Sequence, residues 1–182
     1  MIRRLRDAAR GSEVRSLLSG GDRRSIAHSA RASRIVHEDP SRVAELALAM
    51  DDDWLVSMRA LDLLEKLAHE HPDWVEPYRD VFLGRLAQSD KWEVHLQIVR
   101  ALPLFDWRPA ERERAVKILR LDLKHPQKFV RAWALDSLAT FAVRNKRLRP
   151  LVERRLKEFE ASESKELVTR ARDIRRRLRE FG

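Results

Sequence analysis

The pattern of apolar positions in Asp53-Trp54-Leu55-Val56-Ser57-Met58-Arg59-Ala60-Leu61-Asp62-Leu63-Leu64 recurs at Lys91-Trp92-Glu93-Val94-His95-Leu96-Gln97-Ile98-Val99-Arg100-Ala101-Leu102. It recurs again at Gln127-Lys128-Phe129-Val130-Arg131-Ala132-Trp133-Ala134-Leu135-Asp136-Ser137-Leu138. A weaker fourth copy runs from Lys165 to Ile174, and the anchors Val56, Val94, Val130 and Leu167 are separated by 38, 36 and 37 positions. An atypical copy precedes them at Arg24–Ala30, as a terminal capping unit would. Between the copies lie amphipathic segments at 41–50, 74–87, 110–123 and 148–159, so each period holds two helices. Pro40, Pro72, Pro109 and Pro150 stand near the starts of the intervening helices, where a missing N–H costs nothing. Ser89-Asp90 and Asp51-Asp52-Asp53 put capping oxygens before the repeat helices.

These periods predict one domain over 1–182. It divides into a cap with an atypical first unit at 1–38, repeats at 39–71, 72–107 and 108–144, and a basic capping repeat at 145–182. The frame Val130-Arg131…Ala134-Leu135…Leu138 resembles the second helix of HEAT repeats, and the likeness extends over roughly 22–182. It implies an all-α fold, a right-handed α-α superhelix (solenoid) of about five HEAT-like helix pairs, which would bind a partner along its concave face. The Trp-Leu-Gly-Tyr frame of tetratricopeptide repeats is absent, and the period is longer than theirs.

Composition agrees, with only five Gly and seven Pro in 182 residues. The absence of cysteine excludes disulfides, thiolate zinc sites and cysteine nucleophiles, and fits a reducing, cytoplasmic location. No stretch approaches the roughly 18 apolar residues of a membrane span, and the charged N-terminus has no apolar core of a signal peptide behind it. The net charge of +9 is uneven: residues 1–34 carry +6 and 143–182 carry +7, whereas 35–142 hold 15 basic against 19 acidic side chains. Basic ends raise the prospect of a polyanionic partner.

At 100° per residue from Val130, the side chains pointing away from the apolar stripe are Lys128, Ala132, Asp136, Ala139 and Val143. The same register selects Trp54, Met58, Asp62 and Glu65 in the first copy, and Trp92, Leu96 and Arg100 in the second. Two tryptophans, a methionine and a leucine thus fall where a solvated helix would be polar. Either they form an apolar strip for a partner, or the tryptophans pack across the seam between repeats.

No chemistry of catalysis is recognisable. No two of the six histidines form the i, i+4 pair with a carboxylate that metal-dependent hydrolases place on a helix, and His69 and His71 stand two apart near a helix end, so no metal site is expected. Gly20-Gly21 lacks the strand and Lys-Ser of a phosphate loop, and no cofactor is implied. The C-terminal Lys165, Arg172, Arg175, Arg176 and Arg179, with Arg3, Arg4, Arg23 and Arg24, are the candidate phosphate contacts. Phe129-Val130-Arg131-Ala132-Trp133-Ala134 is also similar to helices of the HEAT-like alkylpurine DNA glycosylases, which implies nucleic acid as an alternative partner. The short chain and its net acidic centre depart from that family. The leading expectation is a non-enzymatic scaffold binding a protein segment through Trp54, Met58, Asp62, Trp92, Leu96, Arg100, Lys128 and Asp136.

Overall fold

The computed structural model describes residues 12–22, 27–49 and 53–180. Arg3, Arg4, Arg23, Arg24 and the capping residues Asp51 and Asp52 lie outside them. The described residues are helical, with no strand among them. They form α1 (Glu13–Leu18), α2 (Ser29–Glu38), α3 (Val43–Leu48), α4 (Trp54–Glu70), α5 (Pro72–Val75), α6 (Trp92–Ala101), α7 (Pro109–Asp122), α8 (Lys128–Arg144), α9 (Arg149–Glu160) and α10 (Lys165–Glu180). The all-α class is as expected. The helices gather into two compact units, 1–98 and 99–182, and the division falls inside α6.

In the N-terminal unit, α4 begins where Asp53 caps it, its carboxylate accepting from the N–H of Leu55 at 2.8 Å and Val56 at 3.2 Å. It ends at His71, whose extended φ is what a following proline demands. Val56, Ala60, Leu64 and Leu67 form its buried stripe, against which α1 and α3 pack. Arg59 is also buried, and its guanidinium donates to the carbonyls of Leu18, Gly20 and Asp22 at 2.6, 2.7 and 2.9 Å. That clamps the loop after α1, where Gly20 and Gly21 turn the backbone through φ of 78° and 69°. Arg59→Met should therefore lower the unfolding free energy by about 2 kcal/mol in urea titrations, the scale of lost charge-assisted hydrogen bonds. An unchanged midpoint would show the clamp to be dispensable.

The intervening helix expected at 74–87 is not α-helical. After α5 the chain runs in 3-10 turns over Glu76–Leu83 and Arg85–Gln88. Pro77 removes the N–H that an α-helical bond there would use, and Gly84 breaks the turns with ψ of −160°. Val75, Phe82 and Leu83 are nonetheless buried, so the packing role of the segment survives the change of helix type. Similarly, the segment at 41–50 enters through a 3-10 turn at Pro40–Arg42 before α3.

In the C-terminal unit, Pro109 opens α7 at a position where its missing N–H is harmless, and Glu111 accepts from the Arg108 N–H at 3.1 Å. Gln127 gives α8 no side-chain cap. Instead Arg131 donates to the carbonyls of His125 and Pro126 at 2.8 and 2.9 Å and fixes the chain's entry into the helix. Helix α8 packs on α7, α9 and α10, and its burial extends nearly all round: Val130, Ala132, Ala134, Leu135, Leu138 and Ala139 are all covered. Before α7, Trp107 is fully enclosed, donates to the Leu102 carbonyl at 2.6 Å and meets Phe105 edge-on at 5.4 Å.

Candidate interaction surfaces

Trp54 and Trp92 are the first residues of α4 and α6, and both are half-buried. Lys91 Nζ lies 5.8 Å from the Trp54 ring centroid, a cation over an aromatic face. Met58 and Leu96, one turn further along the same helices, are half-buried too. Asp62 is paired with Lys66 at 2.6 Å on its own helix. The sequence register therefore places apolar side chains at partly accessible positions in the N-terminal unit, though none there is fully exposed.

The C-terminal unit departs further from expectation. Asp136 was placed on the groove side of α8, and it is instead only 5% exposed. Its two carboxylate oxygens are taken by α10: Arg170 donates to Oδ2 at 2.9 Å, and Arg177 donates to Oδ1 and to the Asp136 carbonyl. Ala132 and Ala139 on the same stripe are buried as well. The 100° projection identifies one covered side of α8, and α10 covers the opposite one. Arg170 also lies over Trp133, its guanidinium carbon 3.9 Å from the ring centroid, with Arg100 at 5.2 Å from that centroid. Arg100 is thus engaged with an aromatic ring.

This cluster had a signal in the sequence. Positions 59, 97, 133 and 170 are equivalent under the period of 38, 36 and 37, so Arg59, Gln97, Trp133 and Arg170 form one register row. Reading along that row would have brought Arg170 to Trp133.

Lys128 pairs with Glu166 at 2.8 Å, and that hydrogen bond, with smaller help from the N–H of Glu166 and the Ser164 hydroxyl, holds the Glu166 carboxyl at about 2. Because the pKa is depressed, whatever the contact adds to stability is present above the ordinary carboxylate range and is lost as pH falls toward about 2. Carbon-detected NMR titration of Glu166 should give that low midpoint, and Lys128→Met should return it toward about 4.3. A midpoint unmoved by Lys128→Met would remove the assigned cause.

Of the basic residues on α10, Arg175 bridges Glu153 at 2.7 Å and Glu160 at 2.6 Å, and these partners raise its pKa above the ordinary arginine value. Arg176 pairs with Asp173 at 3.3 Å. Lys165, Arg172 and Arg179 are exposed. Much of the basic charge that the sequence offers to phosphates is therefore already matched by carboxylates.

Two surface clefts flank α8. The smaller, about 350 Å³, lies between α8 and α10 and includes Phe129, Trp133, Lys165 and Arg170. The larger, about 570 Å³, has an apolar wall of Pro103, Leu104, Phe105, Phe141 and Val143 and a rim carrying Arg112, Arg144, Arg177 and Asp106. Val143 at 39% and Phe129 at 42% exposure are, with Leu121, the large apolar residues most open to water among the described residues. Val143 stands on the outward stripe of α8. Phe141 belongs by register to the apolar stripe of α8 with Val130, Ala134 and Leu138, whereas Phe105 follows a 3-10 turn with no repeat signature.

No described helix is long and apolar enough to cross a membrane. No family model and no curated protein matches the chain. Among solved structures, it is similar to the crystal structure of an engineered protein, a Northeast Structural Genomics Consortium target, with 17% identity and a TM-score of 0.64. The similarity covers 100% of this chain and 90% of that one and concerns the fold alone.

Proposed function

We propose that the chain is a HEAT-type, non-catalytic interaction module that holds a protein segment. The carrying observation is the larger cleft of the C-terminal unit, an apolar floor about 570 Å³ in volume with three arginines and one aspartate on its rim. A floor of aromatic and aliphatic side chains stabilises apolar anchors, and Arg112 and Arg144, which share the single carboxylate of Asp106 at 3.5 and 3.9 Å, leave net positive charge on the rim to favour acidic neighbours. A short peptide with one or two large apolar residues flanked by Asp or Glu fits that chemistry. The half-buried Trp54, Met58, Trp92 and Leu96 offer a separate apolar strip on the N-terminal unit.

The alternative partner, nucleic acid, is weakened by the pairing of Arg170, Arg175, Arg176 and Arg177 with carboxylates. Selection from a random peptide library on the full chain tests the reading. Enriched peptides should combine apolar and acidic residues and lose at least about tenfold in affinity against Val143→Asp, the cost of an unmatched charge in an apolar contact. Thermal stability should be unchanged, Val143 being exposed. Failure to enrich any peptide, or equal binding by Val143→Asp, would remove the cleft. Duplex DNA binding with a log–log salt slope steeper than about −4 would favour the nucleic-acid reading instead.

A further inference from the structure

Away from the clefts, the N-terminal unit draws three donor side chains together from separate elements. His37 stands in the last turn of α2, Glu70 ends α4, and His71 joins α4 to α5. One donor atom from each lies within 4.8 Å of the other two. The histidines showed no metal spacing in the sequence because the set closes across helices: His37 and Glu70 are 33 residues apart.

The orientation of the rings is held by their surroundings. His37 Nδ1 is 2.8 Å from the Ser33 carbonyl oxygen, and a carbonyl only accepts, so Nδ1 carries the hydrogen and Nε2 is the nitrogen left to ligate. A backbone carbonyl behind a ligating imidazole is the usual device for holding tautomer and direction. His71 stacks on Trp74, with centroids 3.9 Å apart and 11° between planes, and Trp74 meets His37 edge-on at 6.0 Å. The indole thus supports both imidazoles.

His37 Nε2 faces Glu70 Oε2 at 3.1 Å. A protonated imidazole donates to a carboxylate at that distance, and a metal ion bound between the two would take the place of that proton. Two donors bound at about 2.1 Å to a tetrahedral ion are about 3.4 Å apart, so the observed spacing is near that of ligands to one metal. Two imidazoles and one carboxylate form a borderline donor set, suited to zinc, nickel or copper. Magnesium and calcium require several oxygens, and only one carboxylate is present here.

We propose that His37, Glu70 and His71 bind one divalent first-row transition-metal ion, zinc above all, with the remaining coordination position left to water. The ion ties the end of α2 to the α4–α5 junction, so its binding stabilises the folded chain by mass action.

Calorimetric titration of the full chain with zinc, after removal of metal by chelator, should show one equivalent bound. His37→Ala and His71→Ala should each lower the affinity at least about tenfold, and the double variant should abolish it. His69→Ala, a neighbour outside the set, should leave affinity unchanged, and magnesium should give no heat. Zinc should raise the melting temperature of the native chain and not that of the double variant. Cobalt added to the native chain should broaden the NMR signals of His37 and His71 first, a readout that does not depend on any variant folding. The proposal is overturned if the native chain binds no zinc, if His37→Ala with His71→Ala binds as the native chain does, or if cobalt broadens other histidines instead.

Discussion

Ala134→Asp is expected to lower the unfolding free energy by about 4 kcal/mol or more, a large part of the margin a domain of this size possesses. Ala134 lies mid-way along α8 with no exposure, on the stripe it shares with Val130 and Leu138, which are equally enclosed. The carboxylate would lose its hydration without a cation to replace it, and its added volume would push apart helices packed closely enough to leave room only for a methyl group. Urea unfolding followed by far-ultraviolet circular dichroism measures the loss. Ala134→Ser supplies the comparison: its hydroxyl can bond the carbonyl one turn back, so its cost should remain near 1 kcal/mol. A loss below about 1 kcal/mol for Ala134→Asp would mean that α8 relaxes to hydrate the charge, and that its burial is weaker than the packing implies.

The features that could be read in advance were those set by a helix and its own stripe. The anchors Val56, Val94, Val130 and Leu167 are all buried, and α4, α6, α8 and α10 each begin within two residues of their anchors. Asp53 acts as the cap its position suggested. Periodicity carries this information because burial on one face repeats every 3.6 residues whatever the partner is. It does not register local backbone chemistry, so Pro77 and Gly84 turned an amphipathic pattern into 3-10 turns without altering which residues are buried. Nor does it register what covers the opposite face. Asp136 reads as a solvated carboxylate on α8, and only the placement of Arg170 and Arg177, 34 and 41 residues later, makes it an enclosed one. His37, Glu70 and His71 were hidden in the same way, since ligands that converge from two helices leave no short spacing behind.

Replacing Arg170 and Arg177 together by methionine is expected to cost about 3 to 5 kcal/mol, more than replacing Asp136 by alanine. The asymmetry follows from where each partner's charge would go. The Asp136 side chain is 8% exposed, whereas those of Arg170 and Arg177 are 26% and 38% exposed. Without the arginines, the carboxylate is left enclosed with no counter-charge. Without the carboxylate, both guanidinium groups can turn to water while their stems continue to cover α8, and Arg170 retains its contact with Trp133. Asp136→Ala should therefore cost about 1 to 2 kcal/mol, the worth of the lost charge-assisted bonds. Adding Asp136→Leu to the arginine double variant should then recover most of the loss, because an apolar triad of similar volume needs no compensating charge. Urea titrations of the variants close a cycle whose coupling energy reports the interaction directly. Additive costs would show that α10 docks on α8 through its apolar stripe alone, and that the arginines do not hold it there. Coupling of several kcal/mol would make the Asp136 clasp the contact that fixes α10 against α8, and with it the Arg177 side of the larger cleft.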